Sequence, residues 1–175
     1  YHFPYLTLVG VVDADVGLTG GDIRALERTY QLLYQVAGRA GRAERPGKVL
    51  VQTHDPENPV MQALQAGDHK GFIERMSQDR ERNAMPPFGR LAGVILSGSD
   101  ERAVDQAATN LARTAPRDKG VMTLGPAPAP LALLRGRNRR RFLVKAGRDV
   151  NIQARIRAWL KVTELPRKVR VQLDI

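Results

Sequence analysis

The sequence predicts an α/β unit followed by an α+β domain. Two element orders predict it: strand–loop–helix–strand over residues 1–55, and β-α-β-β-α-β over residues 86–175. A third observation separates them: Pro86-Pro87-Phe88-Gly89 breaks the chain after a helical connector at 56–85. Forty-two per cent of the 175 residues are hydrophobic, so a packed core is feasible.

Leu6 to Val12 is a continuous apolar run and reads as a strand buried on both faces. It ends at Asp13-Ala14-Asp15, and Gly17, Gly20 and Gly21 loosen the loop that follows. Asp22 is placed to cap a helix in which Ile23, Leu26, Tyr30, Leu33 and Ala37 share one face. Pro46-Gly47 turns the chain into a second short strand, Lys48 to Thr53. A strand–helix–strand unit favours parallel pairing, and two strands alone make a marginal sheet. The unit is therefore expected to be the end of a larger α/β domain. On its own it would expose apolar surface and self-associate or pack on the rest of the chain. The opening Tyr1-His2-Phe3-Pro4, without an initiator Met, adds the expectation that the chain is the C-terminal part of a longer protein.

In the connector, Asn58-Pro59 reads as an N-cap with proline at the first helical position, followed by Val60, Met61 and Leu64. Asp68 caps a second helix with Phe72, Ile73 and Met76 on its apolar side. After the break, Leu91 to Leu96 is a strand and Asp100 leads into a helix with Val104, Ala107, Ala108, Leu111 and Ala115 on one face. Val121 to Leu124 starts a second strand, interrupted by Pro126, Pro128 and Pro130. Arg139 to Ala146 is a third. Asp149 begins a helix with Ile152, Ile156, Trp159, Leu160 and Thr163 inward, and Val169 to Leu173 is the last strand. This order is that of a ferredoxin-like split βαβ module.

The formal net charge is +10, but residues 1–85 hold 10 Lys/Arg against 11 Asp/Glu, and residues 86–175 hold 18 against 7. The basic half points to a polyanion, most commonly nucleic acid. In the third strand, alternation puts Arg139, Arg141, Leu143 and Lys145 on one face and Arg140, Phe142, Val144 and Ala146 on the other. Arg135 and Arg137 extend the charge into the preceding turn. Such a ridge can track a phosphate backbone, a reading favoured over a solvated edge strand kept soluble by its charge. No aromatic interleaves the basic face, so base stacking is not indicated. The chain has no cysteine, and His2, His54 and His69 lack metal-ligand spacing, so no metal site is expected. Apolar runs are too short to span a membrane and no leader is visible, which fits a cytoplasmic protein.

Gln35-Val36-Ala37-Gly38-Arg39-Ala40-Gly41-Arg42 closes the first helix. Two arginines three apart among small residues suit phosphate oxygens, and on a helix they would leave from one face, as arginine fingers do. Their plainer reading is an arginine pair complementing the helix dipole. Asp13 and Asp15 end a strand, where ligands gather in open sheets, or they simply cap the loop. No Gly-x-x-x-x-Gly-Lys-[Ser/Thr] loop is present, since Gly47-Lys48 is followed by Val49.

Thr7 to Asp15 resembles helicase motif V, and Gln35 to Arg42 resembles motif VI of superfamily 2. The run from Asp22 through Arg42, Pro86 to Arg90, Gly125 to Pro130 and Arg135 to Lys145 are similar to the primosomal protein N′ (PriA) family of DNA helicases. The resemblance implies the tail of a RecA-like second helicase lobe and a DNA-contacting C-terminal domain. It implies an ATP- and Mg-dependent 3′-to-5′ helicase that restarts stalled forks. Its partners would be branched and single-stranded DNA, single-strand-binding protein and primosome proteins. Arg39 and Arg42 would face the ATP γ-phosphate, Gln35 and Gly38 would shape that site, and Asp13, Asp15 and Gly17 would couple it to DNA. Arg148 and Gln153 are candidate contributors to the single-strand-binding-protein contact. The family's phosphate loop and zinc-binding cysteines would lie upstream, so this stretch alone would not hydrolyse ATP. One departure stands out: Gly20-Gly21 and Ile23 occupy positions where the family has Asn/Ile-Pro and Phe. A non-catalytic nucleic-acid-binding or ribosome-associated module is the rival reading.

Overall fold

The computed structural model describes residues 6–18, 22–40 and 47–174. The chain divides into two compact units, residues 1–76 and 77–175, each with its own core.

In the first unit, β1 (Leu8–Val11) pairs in parallel with β2 (Lys48–Val51), Leu8 opposite Lys48. α1 (Ala25–Ala37) connects them. The parallel pairing follows from the helical crossover, as the sequence predicts. The predicted double-sided burial of the strands does not hold. Leu8 is 55% exposed and Leu50 62%, because among the described residues the sheet has only two strands, and the buried cluster of this unit is drawn mainly from the helices rather than from the strands. The helix also starts later than Asp22 implies. The Asp22 carboxylate accepts from the Arg24 amide at 2.9 Å and the Asp22 carbonyl from Ala25 at 3.0 Å, forming a turn ahead of α1. Ile23 is left exposed, and the inward positions are Ala25, Thr29, Tyr30 and Leu33. Gly20 and Gly21 lie outside the described residues.

α2 (Pro59–Ala66) is capped by Asn58, whose side chain accepts from the Val60 amide at 3.1 Å. Asp68 likewise accepts from Gly71 at 2.9 Å and starts α3 (His69–Arg82). Ile73, predicted inward, is exposed, whereas Phe72 is fully buried and stacks on Tyr30 with ring centroids 4.3 Å apart. His69 extends this stack to Tyr30 and Tyr34, both at 5.5 Å.

In the second unit, β3 (Arg90–Gly98), β4 (Val121–Leu134), β5 (Arg137–Ala146) and β6 (Arg170–Asp174) form one sheet in the order β4-β5-β3-β6. Every neighbouring pair is antiparallel. α4 (Glu101–Arg113), capped by Asp100, and α5 (Ile152–Val162), capped by Asn151 rather than Asp149, cover one face. Ala92, Val94 and Leu96 of β3 and Phe142, Val144 and Ala146 of β5 meet Val104, Leu111, Ile152, Ile156 and Trp159 there. The Trp159 ring stands edge-on to Phe142 at 5.4 Å, and its indole N–H donates to the Leu111 carbonyl at 2.9 Å. That bond satisfies a buried donor and ties α5 to the end of α4.

Two sequence expectations change in this sheet. β4 is not interrupted by its prolines but runs through them, because it lies at the sheet edge, where a missing N–H costs no ladder bond. Register shifts fall between Leu124 and Ala127 and between Pro128 and Leu133. At the first, Gly125 has φ 116° and packs so close that a Cβ would lie 2.8 Å from the Arg141 carbonyl oxygen. β5, in turn, is an interior strand, so the solvated-edge reading of Arg139 to Ala146 is excluded.

Phe142→Ala is expected to destabilise the second unit by about 3–5 kcal/mol, whereas Leu124→Ala, on the open face, should change stability by no more than about 0.5 kcal/mol. Urea unfolding of the two variants followed by Trp159 fluorescence checks both.

Candidate nucleic-acid interface

Burial of Phe142, Val144 and Ala146 fixes the register of β5 relative to the helices. The alternating positions Arg139, Arg141, Leu143 and Lys145 therefore emerge on the opposite, uncovered face. On β3 the matching open positions are Leu91, Gly93, Ile95 and Ser97. The cations thus stand over a face that is partly apolar.

The ridge is more tightly held than its sequence implies. The Arg139 guanidinium donates to the carbonyls of Pro130 at 3.0 Å and Leu131 at 3.4 Å. The Lys145 ammonium donates to the Asn83 carbonyl at 2.7 Å. Arg137 lies inside β5 rather than in the turn, and donates to the Ser97 carbonyl at 3.0 Å. Arg135 is exposed in the turn between β4 and β5. These partners are neutral carbonyls, so each cation keeps its full charge and spare N–H donors. Pinning also reduces the rotamer entropy that binding a phosphate would remove.

Arg140 behaves differently. It faces α4, where its Nε lies 2.7 Å from Asp105 and its Nη2 3.1 Å from Glu101. Burial works against its charge, but the two carboxylates outweigh that and raise its pKa further. This residue locks β5 to α4 and adds little to the external field. Sequence spacing could not reveal this pairing, because the partners lie more than thirty residues away.

The residues predicted to meet a nucleotide lie in the first unit. Gln35 is exposed on the last turn of α1, and Gly38 is its C-cap. Arg39 is exposed, but it sits in a turn after the helix, where its amide donates to the Val36 carbonyl at 3.1 Å. The helix ends at Ala37 because glycine at 38 weakens it, so the expected projection of Arg39 from a continuous helical face does not occur. Arg42 lies outside the described residues.

Asp13 is exposed and accepts from the Asp15 amide at 3.0 Å. Asp15 bridges the loops after both strands, accepting from the Thr53 hydroxyl and the His54 amide, each at 2.7 Å. The His54 amide, then the Thr53 hydroxyl, hold its pKa below the ordinary Asp value. Gly17 is packed against the Thr29 hydroxyl, leaving no room for a Cβ. Asp13, Asp15 and Gly17 therefore gather at the strand ends beside α1, while the basic ridge belongs to the second unit. Among the described residues no cluster of three His, Cys, Asp or Glu side chains is placed to hold a metal, and no helix is long and apolar enough to cross a membrane.

The family model described as the primosomal protein N C-terminal domain matches residues 81–175. The chain belongs to the primosomal protein N (PriA) family. The replication restart protein PriA of Rickettsia conorii is 42% identical over all 175 residues. That of Synechocystis is 42% identical over 142 residues, 80% of this chain and 17% of the relative. The Bacillus subtilis protein of the same name is 34% identical over 161 residues, 91% of this chain and 20% of the relative. The chain spans about a quarter of the length of its Rickettsia relative, 27%. The match to the family model contains the whole ridge from Arg135 to Lys145.

Because the pKa of Asp15 is depressed on folding, its contribution to stability is present above the unfolded Asp value and is lost as pH falls through the lower folded value. The chemical shift of the His54 amide proton should titrate with a midpoint below the ordinary Asp range. Asp15→Asn should abolish that titration; a midpoint at the usual Asp value would refute the bridge.

Proposed function

We propose that this chain is the C-terminal portion of an ATP-dependent 3′-to-5′ DNA helicase that restarts stalled replication forks. The observation that carries the reading is the basic strand β5, which lies inside the region matched by the primosomal protein N C-terminal domain. Residues 119–148 around it contain eight Lys/Arg and no Asp or Glu. Such a segment attracts phosphates by counterion release. Arg135, Arg137, Arg139, Arg141 and Lys145 contact DNA, and the sheet order β4-β5-β3-β6 with two helices on one face supports a ferredoxin-like arrangement for this domain.

The first unit is read as the end of a RecA-like second lobe. Its parallel strand–helix–strand order and the sequence from Gln35 to Arg42 support this. Arg39 and Arg42 act as arginine fingers on the ATP γ-phosphate, with Gln35 and Gly38 shaping the site and Asp13, Asp15 and Gly17 coupling it to DNA. The chain has no phosphate loop, so it offers one side of an ATP and Mg site and needs the rest of the protein for the other. It has no cysteine, so its residues do not fit the family's thiolate zinc site, which belongs upstream. Single-strand-binding protein and primosome proteins are the proposed protein partners, in the cytoplasm. Exposed Leu8 and Leu50 support self-association of the first unit when it is separated from the strands that precede it.

DNA affinity of the chain should fall steeply with salt, and Arg135→Ala should lower the slope of log affinity against log salt by about one. Fluorescence anisotropy at several salt concentrations checks this; absence of binding at low salt would favour a protein-docking module. In the full-length protein, Arg42→Ala should lower kcat for ATP by about a hundredfold or more with DNA binding largely retained. An unchanged ATPase rate would refute the finger assignment.

A further inference from the structure

The β4–β5 hairpin extends past the end of β3, whose last partner on β5 is Asn138. Its last pairs are Leu133 with Asn138 and Leu134 with Arg137, closed by the two-residue turn Arg135-Gly136. Both turn residues have positive φ, 50° and 72°, as a type I′ hairpin turn requires. Leu131, at the bulge before the tip, also has positive φ, 54°, a conformation costly for a side chain of this kind. The Arg139 guanidinium holds it there by bonding the carbonyls of Pro130 and Leu131. The result is a tip that displays leucine to solvent: Leu131 is 69% exposed, Leu133 65% and Leu134 40%. Three exposed leucines beside arginines, on a backbone held in a strained conformation, are not explained by folding.

We propose that this hairpin tip is a junction wedge, whose leucines cover the end of a duplex where its two strands separate. The inference rests on the reading of the chain as DNA-binding. A fork presents two chemistries close together: phosphates along the strands, and the flat apolar face of the last stacked base pair. The tip presents the complement of both. Arg135 has no hydrogen bond or ion pair among the described residues and stands at the turn, with Arg137 and Arg139 behind it. The leucines supply the apolar part, as leucine does in proteins that insert between base steps. The segment from Lys119 to Arg148 carries eight Lys/Arg and no carboxylate, and the nearby Glu101 and Asp105 are engaged by Arg140; this charge complementarity favours nucleic acid over a protein as the occupant. A bare single strand, or a duplex closed by hairpin loops at both ends, offers the phosphates but no exposed terminal pair, so the leucines would add affinity at a junction alone.

The test uses the full chain with three DNAs of equal length: single-stranded, duplex closed by hairpin loops at both ends, and forked with the far end of its duplex closed in the same way. A 2-aminopurine at the fork's last base pair reports unstacking. Wild type should prefer the fork and raise the 2-aminopurine fluorescence. Leu133→Ser with Leu134→Ser should reduce the fork-to-single-strand affinity ratio by about tenfold and abolish the fluorescence rise. Leu133→Met with Leu134→Met should restore both, which separates a wedge from a folding defect. A double serine variant that keeps the wild-type ratio and fluorescence overturns the wedge and leaves DNA binding intact. Failure of the wild type to bind any of the DNAs at low salt overturns both readings. A serine variant that changes only the sedimentation coefficient overturns the wedge in favour of a protein contact.

Discussion

The period-two pleat of β5 governs the second unit. Phe142, Val144 and Ala146 must point into the core, so Arg139, Arg141 and Lys145 have no choice but the other face. Burial of a single aromatic ring against Trp159 thus fixes the position of charges that never touch it. A shift of one residue would bury the cations and expose the ring, and the cost of unpaired buried charge excludes that register. Arg140 tests the same rule from the other side. It points toward α4, and it is accepted there because Glu101 and Asp105 neutralise it.

Tertiary partners convert this strand from a flexible row of charges into a set of fixed positions. Carbonyls at Ser97, Pro130, Leu131 and Asn83 each hold a cation of the open face. Hydrogen bonding to neutral oxygens orients these side chains without cancelling them, which is the condition for a surface that meets a polyanion with little reorganisation. The first unit is built by different means. Its core packs Tyr30 and Phe72 with Leu33, Val60, Met61 and Ala63, exposed His69 stacks on Tyr30, and its sheet is small and open to solvent.

Local signals in the sequence carried most of the fold. The caps at Asn58 and Asp68, the crossover between β1 and β2 and the alternation of β5 depend on neighbours a few residues away, and each is found where the sequence predicts it. What was not legible depends on distant partners. Nothing near Pro126, Pro128 and Pro130 says that β4 is an edge strand, so the prolines looked like an interruption. Burial of β1 could not be judged from its own apolar residues, because it depends on which strands flank it. Of the proposed contact residues, the face of Arg139, Arg141 and Lys145 was evident from spacing. Arg137 joined the strand instead of the turn because β5 continues to the hairpin end. Arg39 left the helix because Gly38 ends it.

The prolines of β4 also decide what the sheet cannot become. An edge strand ordinarily offers a row of N–H donors to any extended chain that passes, and so invites another copy to add a strand. Pro126, Pro128 and Pro130 delete three donors along the middle of β4, and the register shifts that span Pro126 and Pro130 break the regularity of its edge. Copies crowded onto one polyanion would therefore meet through side chains, and this border of the sheet would remain closed to polymerisation.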